Sequence, residues 1–192
     1  MLYFARANRD QLLSSLFSSS GANPDDVAIA AVGGFGRGEL SPGSDLDILF
    51  IHSERVSSEK LKALVNEVLY PLWDTKSVDH SVRTRSETRD AATSDLRVAT
   101  GLLDIRLITG NADLVTNVQS DALELWRKNA KENLQDLHKS LQERHTRAGE
   151  LAYLLEPDLK EARGGLRDIQ ALRAIALSGA VTVPLEKISW AE

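Results

Sequence analysis

Cysteine is absent from the 192 residues, which excludes a disulfide framework and any thiolate metal site and is compatible with a reducing compartment. Basic residues are in deficit, with 23 Lys and Arg against 28 Asp and Glu. A general nucleic-acid binder shows the opposite balance, so that class is set aside, with local basic patches still open. No apolar run approaches the roughly 20 residues of a membrane span, and the first residues lack the apolar core and cleavage site of a signal peptide. The expectation is a cytoplasmic protein with neither membrane nor nucleic acid among its partners. The length suits one core, or one core with a helical appendage.

What is present centres on Ala31 to Ile51, AVGGFGRGELSPGSDLDILFI. Val27 to Val32 and Leu46 to Ile51 are short, rich in β-branched residues and bounded by turn formers, which is how buried strands read. Between them Gly33, Gly34, Gly36 and Gly38 form a glycine-rich turn, whose backbone a ligand can approach with no Cβ in the way. Free N–H groups in such a turn make a concave anion site. Asp45 and Asp47 lie two positions apart, so strand alternation puts both carboxylates on one face. Two acids on one exposed face repel unless a cation sits between them. Oxygen ligands this few, next to a phosphate cradle, suit Mg²⁺, which takes its remaining ligands from water and substrate phosphates.

Along the chain, Ala5 to Phe17 places Leu12, Leu13, Leu16 and Phe17 on one helical face, and the serines before Gly21 end it. A second helix runs from about Ser58 to Trp73, with Leu61, Leu64, Val65, Val68, Leu69 and Leu72 at helical spacing. Ser77 to Thr84 alternates and predicts a third strand. Strands and helices then alternate as an α/β fold requires. Asp79 on that strand is either a third carboxylate for the metal site or an exposed strand Asp. From Ser94, as N-cap, to Leu107 the periodicity predicts a helix closed by Gly110 and Asn111. Asp104 and Arg106 sit inside its apolar face, which marks a buried ion pair or a site, and Asp104 is a second candidate for the third acid.

Ser120 to Gly149 carries Leu123, Trp126, Ala130, Leu134, Leu137 and Leu141 at steps of three and four, predicting one helix of roughly 40 Å. His138 and His145 read as its solvated surface. Near the end, Gly164 and Gly165 precede an apolar-periodic run from Leu166, and a glycine pair ahead of a helix offers N–H groups to an anion. Lys160, Arg163 and Arg167 surround it, with the alternative that this is an ordinary helix start with mixed surface charge. The last residues carry no identifiable terminator and read as a chain cut at a convenient point.

A Gly-Gly pair ending a strand, an Arg three residues on, and Ser-Asp-x-Asp opening the next strand resembles the signature of the nucleotidyltransferase superfamily, the fold of polymerase β-like enzymes. In that resemblance Gly33 and Gly34 fill the paired small positions, and Asp45 and Asp47 the metal-ligand positions. VGGFGRGELSPGSDLDILF, LWDTKSVDHSVRT, LLDIRLITG and LEPDLKEARGGLRDIQALR, in that order, further resemble the N-terminal part of the bacterial PII protein uridylyltransferase/uridylyl-removing enzymes. Asp79 departs from the glycine usual in that family. The resemblance implies an α/β (α+β) fold: a nucleotidyltransferase core with a small mixed sheet over residues 1–115, then a helical region, 116–192, closing over the nucleotide site. It implies Mg²⁺-dependent transfer of UMP or AMP from UTP or ATP to a tyrosine hydroxyl of the signalling protein PII. Catalytic roles fall to Asp45, Asp47, Asp79 and Asp104. Nucleotide contacts fall to Gly33, Gly34, Arg37, Ser44, Lys160, Gly164, Gly165 and Arg167, with Glu39 orienting Arg37. The removing activity is not expected, because His-Asp in that order occurs nowhere in the chain. The competing expectations are a non-catalytic nucleotide-binding regulatory module and a nucleotidyltransferase with another acceptor, such as glutamine synthetase.

Overall fold

The computed structural model describes residues 2–40, 44–73, 78–149 and 158–182. The chain forms two compact units, Met1–Ala122 and Leu123–Glu192.

In the first unit, α1 (Leu2–Ser19), β1 (Val27–Ala31), α2 (Gly33–Arg37), β2 (Leu46–His52), α3 (Ser58–Trp73) and β3 (Val78–Arg83) follow in order, then α4 (Arg85–Ser94), α5 (Leu96–Leu102) and β4 (Arg106–Gly110). The sheet order is β3-β2-β1-β4. β1 pairs antiparallel with β2 and β4, while β2 and β3 are parallel. Parallel neighbours need a crossover, and α3 supplies it. Leu46, Ile48 and Phe50 enter one core layer with Leu13 and Phe17 of α1 and Leu61, Leu64 and Val68 of α3. Leu49 and Ile51 enter the other, with Leu102, Ile105, Val115 and Val118. A sheet covered on both faces explains why β1 and β2 are nearly continuous apolar runs. Register is correspondingly strict: a one-residue slip of β2 would turn Asp47 into the layer now filled by Leu46 and Ile48. Leu12, expected on the apolar face of α1, is instead 44% exposed.

Two expectations change here. The helix read from Ser94 to Leu107 divides into α4, α5 and β4. Ser94 ends α4, and Asp95 is the cap of α5, its carboxylate accepting from the N–H groups of Arg97 and Val98 at 2.7 and 3.4 Å. Ile105 to Thr109 is β-competent, and its pairing with β1 outweighs the local helical spacing. α4 is opened by a capping box in which Thr84 and Glu87 each accept the other's backbone N–H. Asn111, read as a terminator, begins α6 (Ala112–Lys128) by accepting from Asp113 and Leu114 N–H.

The single long helix is likewise two, α6 and α7 (Ala130–Ala148), broken at Asn129. Within the second unit, Asn133 Nδ2 donates to the Trp126 carbonyl at 3.2 Å, just before the break. Trp126 is buried, and its indole N–H donates to the Ala174 carbonyl of α8 (Leu166–Leu177) at 2.8 Å. A buried indole without that acceptor would be costly.

Candidate active site

The glycine-rich stretch is a one-turn helix, α2, and not the open turn that its composition suggests. Gly33 starts it at φ +55°, a conformation other residues rarely adopt, and Gly38 ends it at φ +76°. Gly36 lies so close to the chain after α5 that an added Cβ would stand 2.0 Å from the Asp104 carbonyl oxygen. Phe35 between them is fully buried in the α1/α3 layer. The N-cap Val32 has no side-chain acceptor for the first-turn N–H groups of Gly33 and Gly34, which a helix cannot satisfy internally.

Asp47 comes to this turn from β2. A Cβ on Gly33 would stand 3.2 Å from Asp47 Oδ2, and Val32 N–H donates to the Asp47 carbonyl at 3.1 Å. The bare Gly33 backbone and the Asp47 carboxylate therefore occupy adjoining space. Asp79 is the register partner of Asp47 on parallel β3, so both side chains leave the sheet on the same face. Asp79 is exposed and Asp47 half-buried. Asp45 is exposed one residue before β2, and Ser44 is half-buried beside it. Among the described residues no group of three or more carboxylates and imidazoles converges as a metal cage. Hard oxygen donors in this number fit a Mg²⁺ whose other ligands are water and phosphate, so the donor chemistry of Asp45 and Asp47, with Asp79 alongside, is compatible with that ion.

Arg37 and Asp104 depart from expectation together. The Arg37 side chain is 8% exposed; its Nε donates to Glu39 Oε2 at 2.5 Å and its Nη1 to Asp104 Oδ2 at 2.6 Å. Burial disfavours the guanidinium, but Glu39 and Asp104 outweigh it and hold its pKa above the ordinary value. Arg37 is thus a buried side chain of α2, and the Oδ2 oxygen of Asp104 is engaged with it. Arg106, two residues on, pairs with Asp10 of α1 at 2.7 Å instead of with Asp104.

The expected contacts of the tail lie in the second unit and form a cluster of their own. Gly164 adopts φ +89° and Gly165 precedes α8, but every N–H from 164 to 168 is already engaged. Gly164 donates to Asp168 Oδ2 at 2.7 Å, Gly165 to Ala162, Leu166 to Leu159, Arg167 to Lys160 and Asp168 to Gly165. The anion reading of Gly164 and Gly165 therefore fails for their backbone: the helix start is satisfied by its own Asp168. Arg167 pairs with Glu161 at 3.1 Å, and Lys160 is exposed. His145, read as solvated surface, places Nε2 2.8 Å from Asp168 Oδ1, which the buried Arg144 also reaches, while Arg144 Nη1 donates to the Glu161 carbonyl at 2.8 Å. His138 is exposed. The His145 link joins residues 23 apart in sequence and leaves no spacing signal.

Comparison with known proteins follows this division. The family described as nucleotidyltransferase domain matches residues 13–98, and the family described as GlnD PII-uridylyltransferase matches residues 132–182. The bifunctional uridylyltransferase/uridylyl-removing enzyme of Streptomyces coelicolor is 45% identical over 95% of this chain and 22% of its own length. Enzymes of the same name from Mycobacterium tuberculosis and Corynebacterium glutamicum are 41% and 35% identical over 82% and 84% of the chain. The chain therefore spans about a fifth of the length of these relatives, 19% to 23%. A solved toxin–antitoxin structure with AMP-PNP overlays 69% of the chain at 12% identity and a TM-score of 0.44, too distant to argue from. With a mixed four-stranded sheet, a glycine start to α2 and a carboxylate on β2 beside it, the chain belongs to the family of the bacterial bifunctional uridylyltransferase/uridylyl-removing enzymes.

Proposed function

We propose that this chain carries out the transfer half of its relatives' name: it moves a nucleoside monophosphate from UTP or ATP to a tyrosine hydroxyl of a PII signalling protein, in the cytoplasm where those donors are made. The observation that carries the reading is the space beside Gly33, where a Cβ would stand 3.2 Å from Asp47 Oδ2, with Asp79 in register beside Asp47. In-line attack by the hydroxyl oxygen on the α-phosphorus forms the new O–P bond and breaks the bond to pyrophosphate. The protein's task in such a reaction is positioning and charge stabilisation.

Gly33 and Gly34 lie where a triphosphate can approach the backbone closely, and Ser44 offers a hydroxyl at the entry to β2. Asp45 and Asp47 are the proposed holders of Mg²⁺, with Asp79 the additional carboxylate. A bound Mg²⁺ supplies charge neutralisation of the triphosphate and a lower pKa for the attacking hydroxyl.

The test is transfer of labelled nucleotide to a PII protein by the full chain and by Asp47→Asn. Transfer by the wild type and its loss in the variant, with the fold retained, supports the reading; undiminished transfer by the variant sinks the assignment of Asp47. Mg²⁺-dependent nucleotide binding with no transfer to PII or to glutamine synthetase would favour a regulatory nucleotide-binding module instead. Thermal stabilisation by UTP against ATP identifies the donor.

A further inference from the structure

Arg106 makes more contacts with α2 than a strand residue needs for its own packing. Its Nε donates to the Gly36 carbonyl at 3.2 Å and its Nη2 to the Phe35 carbonyl at 3.4 Å. The guanidinium carbon stands 5.6 Å from the centroid of the Phe35 ring, within cation–π range. The remaining edge of the fork meets Asp10 of α1, Nη1 to Oδ2 at 2.7 Å and Nη2 to Oδ1 at 3.2 Å. The carbonyls of Phe35 and Gly36 lie in the last turn of α2, where helical N–H partners run short: Phe35 accepts from the Gly38 N–H at 3.1 Å, and Arg106 adds a donor to each carbonyl. One planar side chain therefore closes the C-terminal end of α2, stacks on its central residue and fixes both to α1.

The other end of α2 is Gly33, where an added Cβ would stand 3.2 Å from Asp47 Oδ2. Five residues at about 1.5 Å each leave about 6 Å between those ends, so a displacement at the Arg106 end reaches Gly33 almost undiminished. Gly36 prevents α2 from shifting toward the chain after α5, because its Cα already lies against the Asp104 carbonyl. Arg37, held by Asp104, secures the flank. Asp104, in the turn before β4, and Arg106, at its start, thus hold one helical turn with opposite charges, Asp104 through Arg37 and Arg106 by the backbone.

We propose that Arg106, braced by Asp10, is a positioning residue for the nucleotide site: it holds α2 by its terminal carbonyls and so sets where the Gly33 backbone stands against the Asp47 carboxylate. The role in nucleotide binding rests on the functional reading above, while the mechanical part stands on unit-one geometry alone. Arg106 acts only through α2.

The experiment uses the full chain and reads two quantities. The first is amide hydrogen exchange at Gly36, Gly38 and Glu39, whose N–H groups donate to the carbonyls of Val32, Phe35 and Gly34; the second is affinity for Mg²⁺ with UTP and with ATP. Arg106→Gln, which keeps a donor but loses the fork and the charge, should raise exchange at those three amides at least tenfold relative to α3. It should also weaken nucleotide binding about tenfold, equivalent to about 1.4 kcal/mol. Arg106→Lys should restore the Asp10 pair and only part of both effects. Asp10→Asn removes the charge that braces the Arg106 fork and should shift the same readings in the same direction by less, so it provides them if Arg106→Gln fails to fold. Unchanged exchange at those three amides in folded Arg106→Gln and Asp10→Asn overturns the proposal. So does a uniform loss of protection over the whole unit, since that would be general destabilisation. A wild-type chain that binds neither nucleotide overturns the functional reading, and the exchange data then decide the mechanical role by themselves.

Discussion

Asp168 offers a quantitative test of the second unit. Its carboxylate accepts from the Gly164 N–H at 2.7 Å, from Arg144, and meets His145 at 2.8 Å. Burial pushes the carboxyl up, but these three partners outweigh it and bring its pKa down from 3.8 to about 2. At about 1.36 kcal/mol per pKa unit this corresponds to at most about 2.4 kcal/mol. With the side chain 23% exposed, solvent screening reduces the realistic figure to about 1.5 kcal/mol. Because the folded pKa lies below the unfolded one, this stability is fully present above about pH 4 and is lost as the pH falls through about 2. Asp168→Asn should also leave the buried Arg144 with one partner fewer, so the total loss at neutral pH should reach about 3 kcal/mol. Two measurements check this: the carboxyl-carbon chemical shift of Asp168 against pH, and urea unfolding of wild type and variant from pH 7 to pH 2. A midpoint near 2 and a stability gap that narrows only below about pH 4 are expected. A midpoint near 4, or a gap that stays constant to pH 2, would refute the electrostatic account of the Gly164 to Asp168 turn.

Gly36→Ala should cost about 3 kcal/mol or more, because its Cβ would meet the Asp104 carbonyl at 2.0 Å and the Ala31 carbonyl at 3.1 Å, and backbone on both sides cannot yield cheaply; denaturant unfolding of the first unit measures it. Trp126→Phe removes the donor to the Ala174 carbonyl but keeps most of the apolar bulk. It should destabilise the second unit by about 1 to 3 kcal/mol, read by protection of α8 amides from exchange.

The strand–glycine–strand motif was legible because buried strands and glycine pairs leave marks on consecutive residues. β1, β2, α3 and β3 lie close to where apolar periodicity puts them. The helical spacing from Ser94 to Leu107 misled because Ile105, Leu107 and Ile108 satisfy either period. The choice is made by the edge of β1, which the local sequence does not contain. Asn129 and Asn111 act through caps and carbonyl contacts that turn on backbone geometry, so one interrupts an apolar stripe and the other begins a helix with little compositional warning. The glycines of α2 were read as an open turn for a related reason. Glycine has poor helix propensity, and only the buried Phe35 and the grip of Arg106 and Arg37 hold that turn helical.

Local chemistry, then, was written in the chain itself: where two acids stand at the opening of a strand, where glycine leaves a backbone bare, and which family the ordered motifs belong to. Charge partners were not. Asp104 and Arg106, two apart in sequence, point to different partners, Arg37 and Asp10, at separations of 67 and 96 residues. His145 leaves the solvent for Asp168 across 23. An ion pair is chosen by distance in space, at a few ångströms and in low dielectric, and only folding brings those groups to that distance.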